Sequence, residues 1–266
     1  MLIECGPMTT VANAREIRKI HRSNHKNDRS DAEILARMLR FDPQLLCPVH
    51  HRSAQTQADL SVLRARDVLV RSRTKLINAV RGLVKANGDR LPMCSATAFA
   101  RRAMDQIPRE LEQALMPLLQ TVATISDQIK DDDDAIETIV HKRYSETALL
   151  RQVAGVGPVT SLGFVLTLGS KQRFRRSRDV GPYLGLVPRQ YDSGDRQSQL
   201  PITKAGNGYL RRLLVGSAHY IVGPFGPDCK LRSYGLRIAE RGGKNAKKRA
   251  VVAVARKLAI LLHHLW

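Results

Sequence analysis

Two long stretches of helical periodicity in the middle of the chain limit the folds open to it. Residues 45–145 contain no run with strand character, and the first stretch, 58–85, repeats apolar side chains at about 3.6 residues. Asn87–Gly88 ends this stretch at a position typical of a helix C-cap. A second amphipathic pattern covers 104–140, and Pro108 and Pro117 are expected to interrupt it. The pattern predicts a helical hairpin or coiled-coil arm.

The composition changes on both sides of this helical segment. From Leu149 onward glycine is more frequent and short helices separated by turns are predicted, so we place a domain boundary near residue 145. Residues 1–45 predict a mixed pattern of a strand at 9–12, a helix at 14–20, a loop at 21–27 and a helix at 31–39. The predicted fold class is therefore mostly α with a small α/β remnant, in three domains at 1–45, 46–145 and 146–266.

The charge balance indicates a polyanionic partner. The 266 residues include 44 Lys and Arg against 24 Asp and Glu, for a net charge of +20. Basic side chains that neutralise phosphates release counterions, which favours binding to nucleic acid. Aromatic residues make up 5% of the chain, so phosphate contacts are expected to outnumber base-stacking platforms.

Targeting and redox signals favour a reducing compartment such as the cytoplasm. The four cysteines do not form a Cys-x-x-Cys pair and are too few for a secreted disulfide scaffold. The first ten residues lack the basic and apolar regions of a signal peptide. The longest uncharged stretch, 152–170, contains four glycines and a proline, and Arg256–Lys257 break the apolar C-terminal stretch. We interpret both as packed helices and expect no membrane span.

Asp28 and Asp31 form the first candidate site. They lie three residues apart at a predicted helix start, which places both carboxylates on one face. A hard divalent cation such as Mg²⁺ prefers carboxylate and phosphate oxygens. On spacing alone, capping of the helix N–H groups is the commoner role for such aspartates.

The second candidate is the Gly-x-Gly turn at Gly155 and Gly157. A helix predicted at 147–153 leads into this turn, and Pro158 then occupies the first position of the next helix. Exposed N–H groups at such a turn form a concavity that binds phosphate. The segment is similar to a helix-hairpin-helix motif, although a plain tight turn between helices explains the pattern equally well.

A basic block follows this helix-turn-helix segment directly. Five of the eight residues in 171–178 are cationic, and we predict backbone contacts to nucleic acid from four of them: Lys171, Arg173, Arg175 and Arg176. A solvated charged face is the ordinary alternative. A second basic block lies at 241–249, before the last predicted helix.

Ser193 is the candidate nucleophile. It precedes Gly194 in a predicted turn, so that its hydroxyl is expected to project clear of the backbone. Lys204, Arg211 and Arg212 follow, and we predict the first two as phosphate contacts. No histidine lies near Ser193 in sequence, so the pattern does not support a Ser-His-Asp hydrolase. By pattern alone, Ser193–Gly194 is most often an ordinary turn.

Two other polar clusters are not predicted to be metal sites. Cys47, His50 and His51 are clustered, but no second pair of ligands follows at zinc spacing. The aspartate run 131–134 falls within a predicted helix, where carboxylates point around the axis, so it indicates a solvated face or a local break.

Four segments in this order resemble the DEDD transposases of insertion-sequence family 110, with the related 116 and 902 groups. KNDRSDAEILARML is similar to the family's Lys-x-Asp-x-x-Asp-Ala segment, and LLRQVAGVGPVTSLGFVLTLG to the opening of its C-terminal transposase domain. FRRSRDVGPYLGLVPRQYDSG and ITKAGNGYLRRLLV resemble the catalytic-serine segment and the one after it. The resemblance covers nearly the whole chain, from about Val11 onward.

The resemblance implies a recombinase that excises and inserts a mobile element. It implies a partial RuvC-like nuclease domain of RNase H type, a coiled-coil arm and a C-terminal helical domain. Asp28 and Asp31 match acidic residues that hold Mg²⁺ against the scissile phosphate, and Ser193 matches the serine that forms a phosphoserine link to DNA. The family also implies a structured guide RNA, whose pairing reads sequence while the protein contacts backbone, and a homo-oligomer.

The family's first Asp and its Glu are expected tens of residues before Asp28, and 27 residues precede it here. Glu4 is the one acidic residue before Glu16, and we do not assign the catalytic glutamate to it. We therefore expect Met1 to lie within an ancestral gene: either the true start lies further upstream, or the chain is an N-terminally truncated remnant. Such a chain holds half of the metal site and lacks most of the central sheet, and its activity is in doubt.

Two other hypotheses compete with the recombinase. A non-catalytic protein that binds DNA or RNA through the hairpin motif and the arm predicts steeply salt-dependent binding that is independent of Asp28 and Ser193. A structural helical protein whose charge serves solubility predicts no nucleic-acid binding. The clustering of basic residues around turns disfavours the structural protein.

Overall fold

The computed structural model describes residues 10–12, 17, 27–46, 52–193, 196–197 and 200–266, with the backbone alone at 192–193 and 196–197. The chain divides into two compact units, residues 1–54 and residues 55–266. The described part is mostly helical, as predicted. Among its helices, none combines the length and the apolar character needed to cross a bilayer.

The first unit contains helix α1, Asp28–Phe41, followed by a 3₁₀ turn at Pro43–Leu46. The N-cap is Asn27, whose side-chain oxygen accepts from the Ser30 N–H at 2.7 Å. The helix ends where Asp42 turns extended before Pro43, which cannot continue it. The predicted helix at 31–39 is confirmed, with a start three residues earlier because Asn27 supplies the cap.

The strand predicted at 9–12 is wrong for its described residues. Thr10, Val11 and Ala12 lie in no regular element. A strand needs a neighbour to pair its backbone, and the described residues of this unit supply none. No part of an α/β remnant is therefore seen in the described portion of 1–45. Of the helix predicted at 14–20, Ile17 is described and helical; the rest of that helix, and 21–26, lie outside the described residues.

The second unit begins with the arm, two long helices that run antiparallel. Helix α2 is Ala54–Ala86; α3 is Phe99–Met104; a 3₁₀ turn at Arg109–Leu111 precedes α4, Glu112–Arg143. At the far end, Ile77, Val80 and Val84 pack against α3 and against Leu115, Leu119 and Val122. The two long helices predicted from periodicity are confirmed.

Pro117 does not interrupt the second helix, contrary to the prediction. It lies inside α4, where the lost N–H bond falls near the start of the helix. Its neighbours Leu115 and Leu119 are fully buried, so packing against α2 and α3 compensates for that bond.

Polar pairs cross the arm between the apolar clusters. Arg66 contacts Asp133 through two hydrogen bonds of 2.5 and 3.1 Å, and buried Arg73 donates to Ser126 at 3.3 Å. The aspartate run 131–134 is part of a continuous helix rather than a break. Asp131 and Asp134 are exposed, whereas Asp133 is half-buried and paired.

A buried carboxylate closes the other end of the arm. Asp59 is 2% exposed and accepts hydrogen bonds from Arg143 at 2.6 Å, Tyr144 at 2.8 Å and Gln55 at 3.1 Å. Burial, followed by the hydrogen bond to Asp59, raises the pKa of Tyr144. The network ties the start of α2 to the end of α4, because a buried carboxylate must find donors within the protein.

The C-terminal part is a bundle of helices around α10. It consists of α5 (Thr147–Arg151), α6 (Pro158–Leu168), α7 (Val180–Tyr183), α8 (Gly208–Val222), α9 (Lys230–Glu240) and α10 (Ala246–Leu265). Two 3₁₀ turns, Lys171–Arg173 and Ser177–Asp179, precede α7. The packed C-terminal helix is confirmed, with Val254, Leu258 and Leu262 fully buried.

Helix α6 belongs to two cores at once. Phe164 and Leu168 pack with α8 and α10, while Leu162 and Leu166 pack with the arm. Residues on both sides of the expected boundary near 145 therefore share one core.

Candidate nucleic-acid interface

A short hairpin carries the backbone of Ser193. Strand β1, Asp192–Ser193, pairs antiparallel with β2, Arg196–Gln197, so that Ser193 lies opposite Arg196. Closer to the core, Arg189 N–H donates to Pro201 at 3.0 Å and Thr203 N–H to Val187 at 2.9 Å. Pairing with Arg196 sets the register of Ser193, and the hydrogen bonds between 187–189 and 201–203 join the same two chain segments closer to the core.

The base of this hairpin is fixed by close backbone contact. Gly185 and Gly206 both have positive φ, and a Cβ on either would collide with backbone, of Ala205 and Tyr183 respectively. Arg211 donates 2.8 Å hydrogen bonds to both Leu184 and Ala205, one on each chain segment. Its guanidinium therefore braces the hairpin base.

Lys204 and Arg211, the two predicted phosphate contacts, differ in their surroundings. Lys204 is exposed and has φ 55°, a left-handed conformation that a lysine rarely adopts. Burial, and then the neighbouring Arg212, lower the pKa of Arg211. A phosphate contact by Arg211 stays a prediction. In the structure, Arg211 supports the hairpin base through its hydrogen bonds to Leu184 and Ala205.

The glycine turn has the conformation that its sequence predicts. Gly155 has φ 77°, and Gly157 is the extended N-cap of α6 with Pro158 at the first helical position. A Cβ on Gly155 would lie 3.0 Å from Tyr220 and 3.1 Å from the Ser217 carbonyl, whereas one on Gly157 would meet no atom within 4 Å. Gly155 is thus required by packing against α8, and Gly157 faces open space.

The turn lines a cavity of about 690 Å³ that also contains Arg151 and Arg212. Both arginines are paired with the arm: Arg151 lies 2.7 Å from Glu137, and Arg212 lies 2.6 Å from Asp67. Beside this pair, burial, and then the Asp67 charge, raise the pKa of Tyr209 to about 12. Cationic groups therefore face the glycine turn, each held by a carboxylate.

The basic block divides into anchored and free side chains. Lys171 donates to the His264 carbonyl at 3.2 Å. Arg173 donates to Leu168 and stacks 4.8 Å from the Tyr183 ring centre. Arg175 and Arg176 are exposed and form no ion pair within the described ranges. Arg178, the fifth cation of the block, is likewise exposed, so these three are the members of the block most available to a phosphate chain.

His263 was missed by the sequence reasoning. It is 2% exposed, and its ring nitrogens lie 3.0 Å from the Ser177 hydroxyl and 3.1 Å from the Lys171 carbonyl. It therefore holds the basic block against α10. The sequence signal for its burial is its position four residues after the apolar Ala259, on the same helix face. That spacing does not predict which groups the imidazole contacts.

Asp28 and Asp31 are exposed in the first turn of α1. Because Asn27 caps the helix, neither carboxylate accepts a helix N–H among the described residues. Within that part of the chain no group of three or more potential metal ligands occurs. The two oxygen-rich side chains suit a hard cation as part of a ligand set. Cys47, His50 and His51 lie outside the described residues.

Comparison with known sequences decides the family. The model described as "Transposase IS116/IS110/IS902 family" matches residues 147–231, and a DEDD transposase model of the 110 family matches residues 4–87. The chain is 30% identical over 274 aligned residues to the transposase for insertion sequence element IS1111A of Coxiella burnetii, covering 97% of this chain and 71% of that protein. The chain belongs to the IS110/IS116 family of insertion-sequence transposases.

Other relatives agree with this assignment. A probable family 20 transposase of Pseudomonas aeruginosa is 32% identical over 74% of this chain and 60% of its own length. A putative transposase of Sinorhizobium fredii is 30% identical over 77% of this chain and 53% of its own. The chain thus matches between 53% and 71% of these three transposases. Membership implies an enzyme class, the DNA recombinases, and a DNA partner.

Proposed function

We propose that this transposase-family chain cuts and joins the DNA of an insertion sequence through Ser193. The observation that carries the proposal is the braced hairpin. Arg211 and the Gly185–Ala205 contact support its base, and strand pairing sets the register of Ser193. A nucleophile on a backbone of defined register meets a phosphate at lower entropic cost than one on a free loop.

Asp28 and Asp31 supply part of a divalent-metal site in this proposal, with Mg²⁺ as the ion. Their exposure and their freedom from capping support this role. When bound, the ion neutralises charge that develops on the scissile phosphate. The two carboxylates hold it from one helix face, and the remaining ligands are those that the family resemblance implies outside this pair.

The nucleic-acid surface in the proposal has two parts. Gly155 and Gly157 act as a helix-hairpin-helix turn whose N–H groups bind backbone phosphate. Cationic side chains extend this surface: Lys171, Arg173, Arg175, Arg176, Lys204 and Arg211. The antiparallel α2–α4 pair acts as a coiled-coil arm between a nuclease segment at 1–45 and a transposase segment at 146–266.

A structured RNA is proposed to select the DNA targets, and a homo-oligomer to carry out the exchange in the bacterial cytoplasm at the nucleoid. The support is the +20 net charge together with few aromatic residues. A protein of this composition suits binding to the backbone of a nucleic acid whose sequence is read by base pairing.

The test is a covalent adduct with DNA. The protein is incubated with Mg²⁺ and duplexes that carry the element ends, and products are separated under denaturing conditions and identified by mass spectrometry. We expect an adduct on Ser193 that Ser193→Ala abolishes. Ser198→Ala, in the same segment, is the matched control and should keep it. An adduct that survives Ser193→Ala overturns the serine assignment.

A non-catalytic DNA- or RNA-binding protein is the second candidate, favoured by the exposed side chains of Arg175 and Arg176. This candidate expects binding that falls steeply with salt and is unchanged in both Asp28→Ala and Ser193→Ala. It also expects no adduct in the experiment above, whereas the recombinase requires one.

A further inference from the structure

A second cavity borders the base of the serine hairpin, where Pro188 and Ile202 line it. It measures about 670 Å³, within the range of about 300–1,000 Å³ typical of small-ligand sites. Its floor is apolar and includes an aromatic ring, from Pro188, Ile202, Tyr234, Val252, Ala253 and Ile260. These α10 residues recur at helical spacing beside the fully buried face that contains Val254 and Leu258, so this helix presents a second, partly exposed apolar face.

The rim of this cavity is cationic. Lys248, Arg249, Arg256 and Lys257 line it, and none of the eleven lining residues is acidic. Contacts within the chain hold Arg249, Lys257 and Arg256 in place. Arg249 donates to the Gly242 carbonyl at 2.9 Å, and Lys257 Nζ lies 4.0 Å from the Tyr234 ring centre. The Arg256 stem occupies the space that a Cβ on Gly181 would need.

Apolar floor and cationic rim together fit a nucleotide. A planar base takes the place of the Lys257 ammonium over the Tyr234 ring and excludes water from apolar side chains, while its flanking phosphates meet the displaced lysine and the arginines. An apolar peptide would use the floor and supply no anion to the four cations of the rim. A phosphate alone would use the rim and leave the floor empty.

The wall of the cavity is continuous with the serine hairpin. Pro188 and Ile202 form a β-bridge, and Ser193 follows Pro188 by five residues, a span of at most about 18 Å. A DNA strand at Ser193 therefore passes within a few nucleotides of the cavity.

We propose that this cavity receives one unstacked base of the DNA strand that Ser193 attacks. The inference rests on the proposed function for its choice of strand. Extruding a base costs unpairing energy, which stacking inside the cavity offsets. Binding of this base in the cavity holds the DNA strand beside the serine hairpin.

The test uses single-stranded DNA from the element end with one abasic position moved along the strand. In the wild-type protein, one position is expected to weaken binding at least about fivefold, the loss of one stacked base. If no position weakens wild-type binding by more than about twofold, the inference is wrong.

Ala253→Trp fills the cavity and should reduce the ratio of abasic to intact dissociation constants to about one, because the base has no site left. Ala114→Trp, at an exposed position near the start of α4, is the matched control and should keep the wild-type ratio. Tyr234→Leu removes the ring while keeping an apolar side chain and should lower the ratio as well. A ratio that persists in both cavity variants overturns the inference.

Two further arms separate this inference from the proposed function. Ser193→Ala should keep the abasic discrimination, because binding of the base does not need the hydroxyl. An adduct that survives Ser193→Ala would overturn the serine assignment and leave the discrimination standing. RNA of the same sequence should show a weaker dependence on the abasic position, and an equal or stronger dependence would contradict the assignment of the cavity to DNA.

Discussion

Asp67 of the arm holds Arg212 of α8 at 2.6 Å, across 145 residues of sequence. The same carboxylate oxygen lies 3.0 Å from the Arg71 guanidinium, and Arg212 also lies 5.7 Å from the Tyr209 ring centre. Because Arg212 lines the cavity of the glycine turn, the carboxylate competes with any phosphate that enters there. The contact therefore links the arm to the candidate backbone-binding turn.

Asp67→Asn is expected to strengthen DNA binding. The change frees Arg212 and removes a negative charge, so the slope of log affinity against log salt should steepen by up to about 0.9 for duplex DNA. Stability should fall by less than about 1 kcal/mol, because the Arg212 side chain is 54% exposed. Salt titrations measure the slope. Asp127→Asn, an exposed site on the same arm, is the control, and equal slopes in both variants would contradict the coupling.

Gly155→Ala and Gly157→Ala form a matched pair. Gly155→Ala is expected to cost about 1–3 kcal/mol, because alanine is strained at φ 77° and its Cβ would crowd Tyr220. Gly157→Ala should cost well under about 1 kcal/mol, since its backbone is extended and its surroundings are open. Chemical denaturation measures both. Equal losses in the two variants would show that the local conformation described for Gly155 does not matter.

Replacing Arg175 and Arg176 by alanine is expected to weaken nucleic-acid binding at low salt and to leave stability nearly unchanged. Both side chains are exposed, and replacing them by alanine should lower the salt slope by at most about 1.8 for duplex DNA. Arg101 and Arg102, exposed on α3 at the far end of the arm, provide the same change in charge as a control. If the two double variants bind alike, net charge and not the basic block governs affinity.

The raised pKa of Tyr209 predicts that the free energy of unfolding falls at alkaline pH. Burial raises its pKa to about 12, above the ordinary value of 10, so above pH 10 the folded state retains a proton that the unfolded chain has lost. The stabilising contribution is complete below pH 10 and is lost as the pH rises toward 12. Tyr209→Phe should make this decline shallower in denaturation series from pH 9 upward, while Tyr191→Phe, at an 80% exposed site, should not. An unchanged decline in Tyr209→Phe would assign it to other groups.

Local patterns predicted the elements of this fold well. The spacing of Leu60, Leu63 and Ile77 predicted α2, and Gly157–Pro158 predicted the start of α6, because periodicity and helix-start chemistry act within one or two turns. Where a local rule failed, packing opposed it. Pro117 remains inside α4 because buried leucines on both sides stabilise the helix more than one lost hydrogen bond destabilises it.

The contacts of the candidate site were less predictable, because the identity of a basic residue does not determine whether it binds phosphate or a carbonyl of its own chain. Lys171, Arg173 and Arg211 have the composition of phosphate contacts, yet each donates to a carbonyl of its own chain. Arg175 and Arg176, from the same block, remain exposed. Sequence identified the block, and the folded positions of the carbonyl groups of Leu168 and His264 decided which of its members make a contact within the chain.

By itself, the sequence determined the helical class, the position of the glycine turn and the resemblance to a transposase family, since each depends on short-range pattern or on motif order. Tertiary structure alone decided that Asp67 meets Arg212, that His263 holds the basic block and that α10 leaves an apolar face open beside the serine hairpin. These relationships join residues far apart in the chain. They arise because buried polar groups must find partners and apolar faces must pack, and those partners become adjacent only when the chain folds.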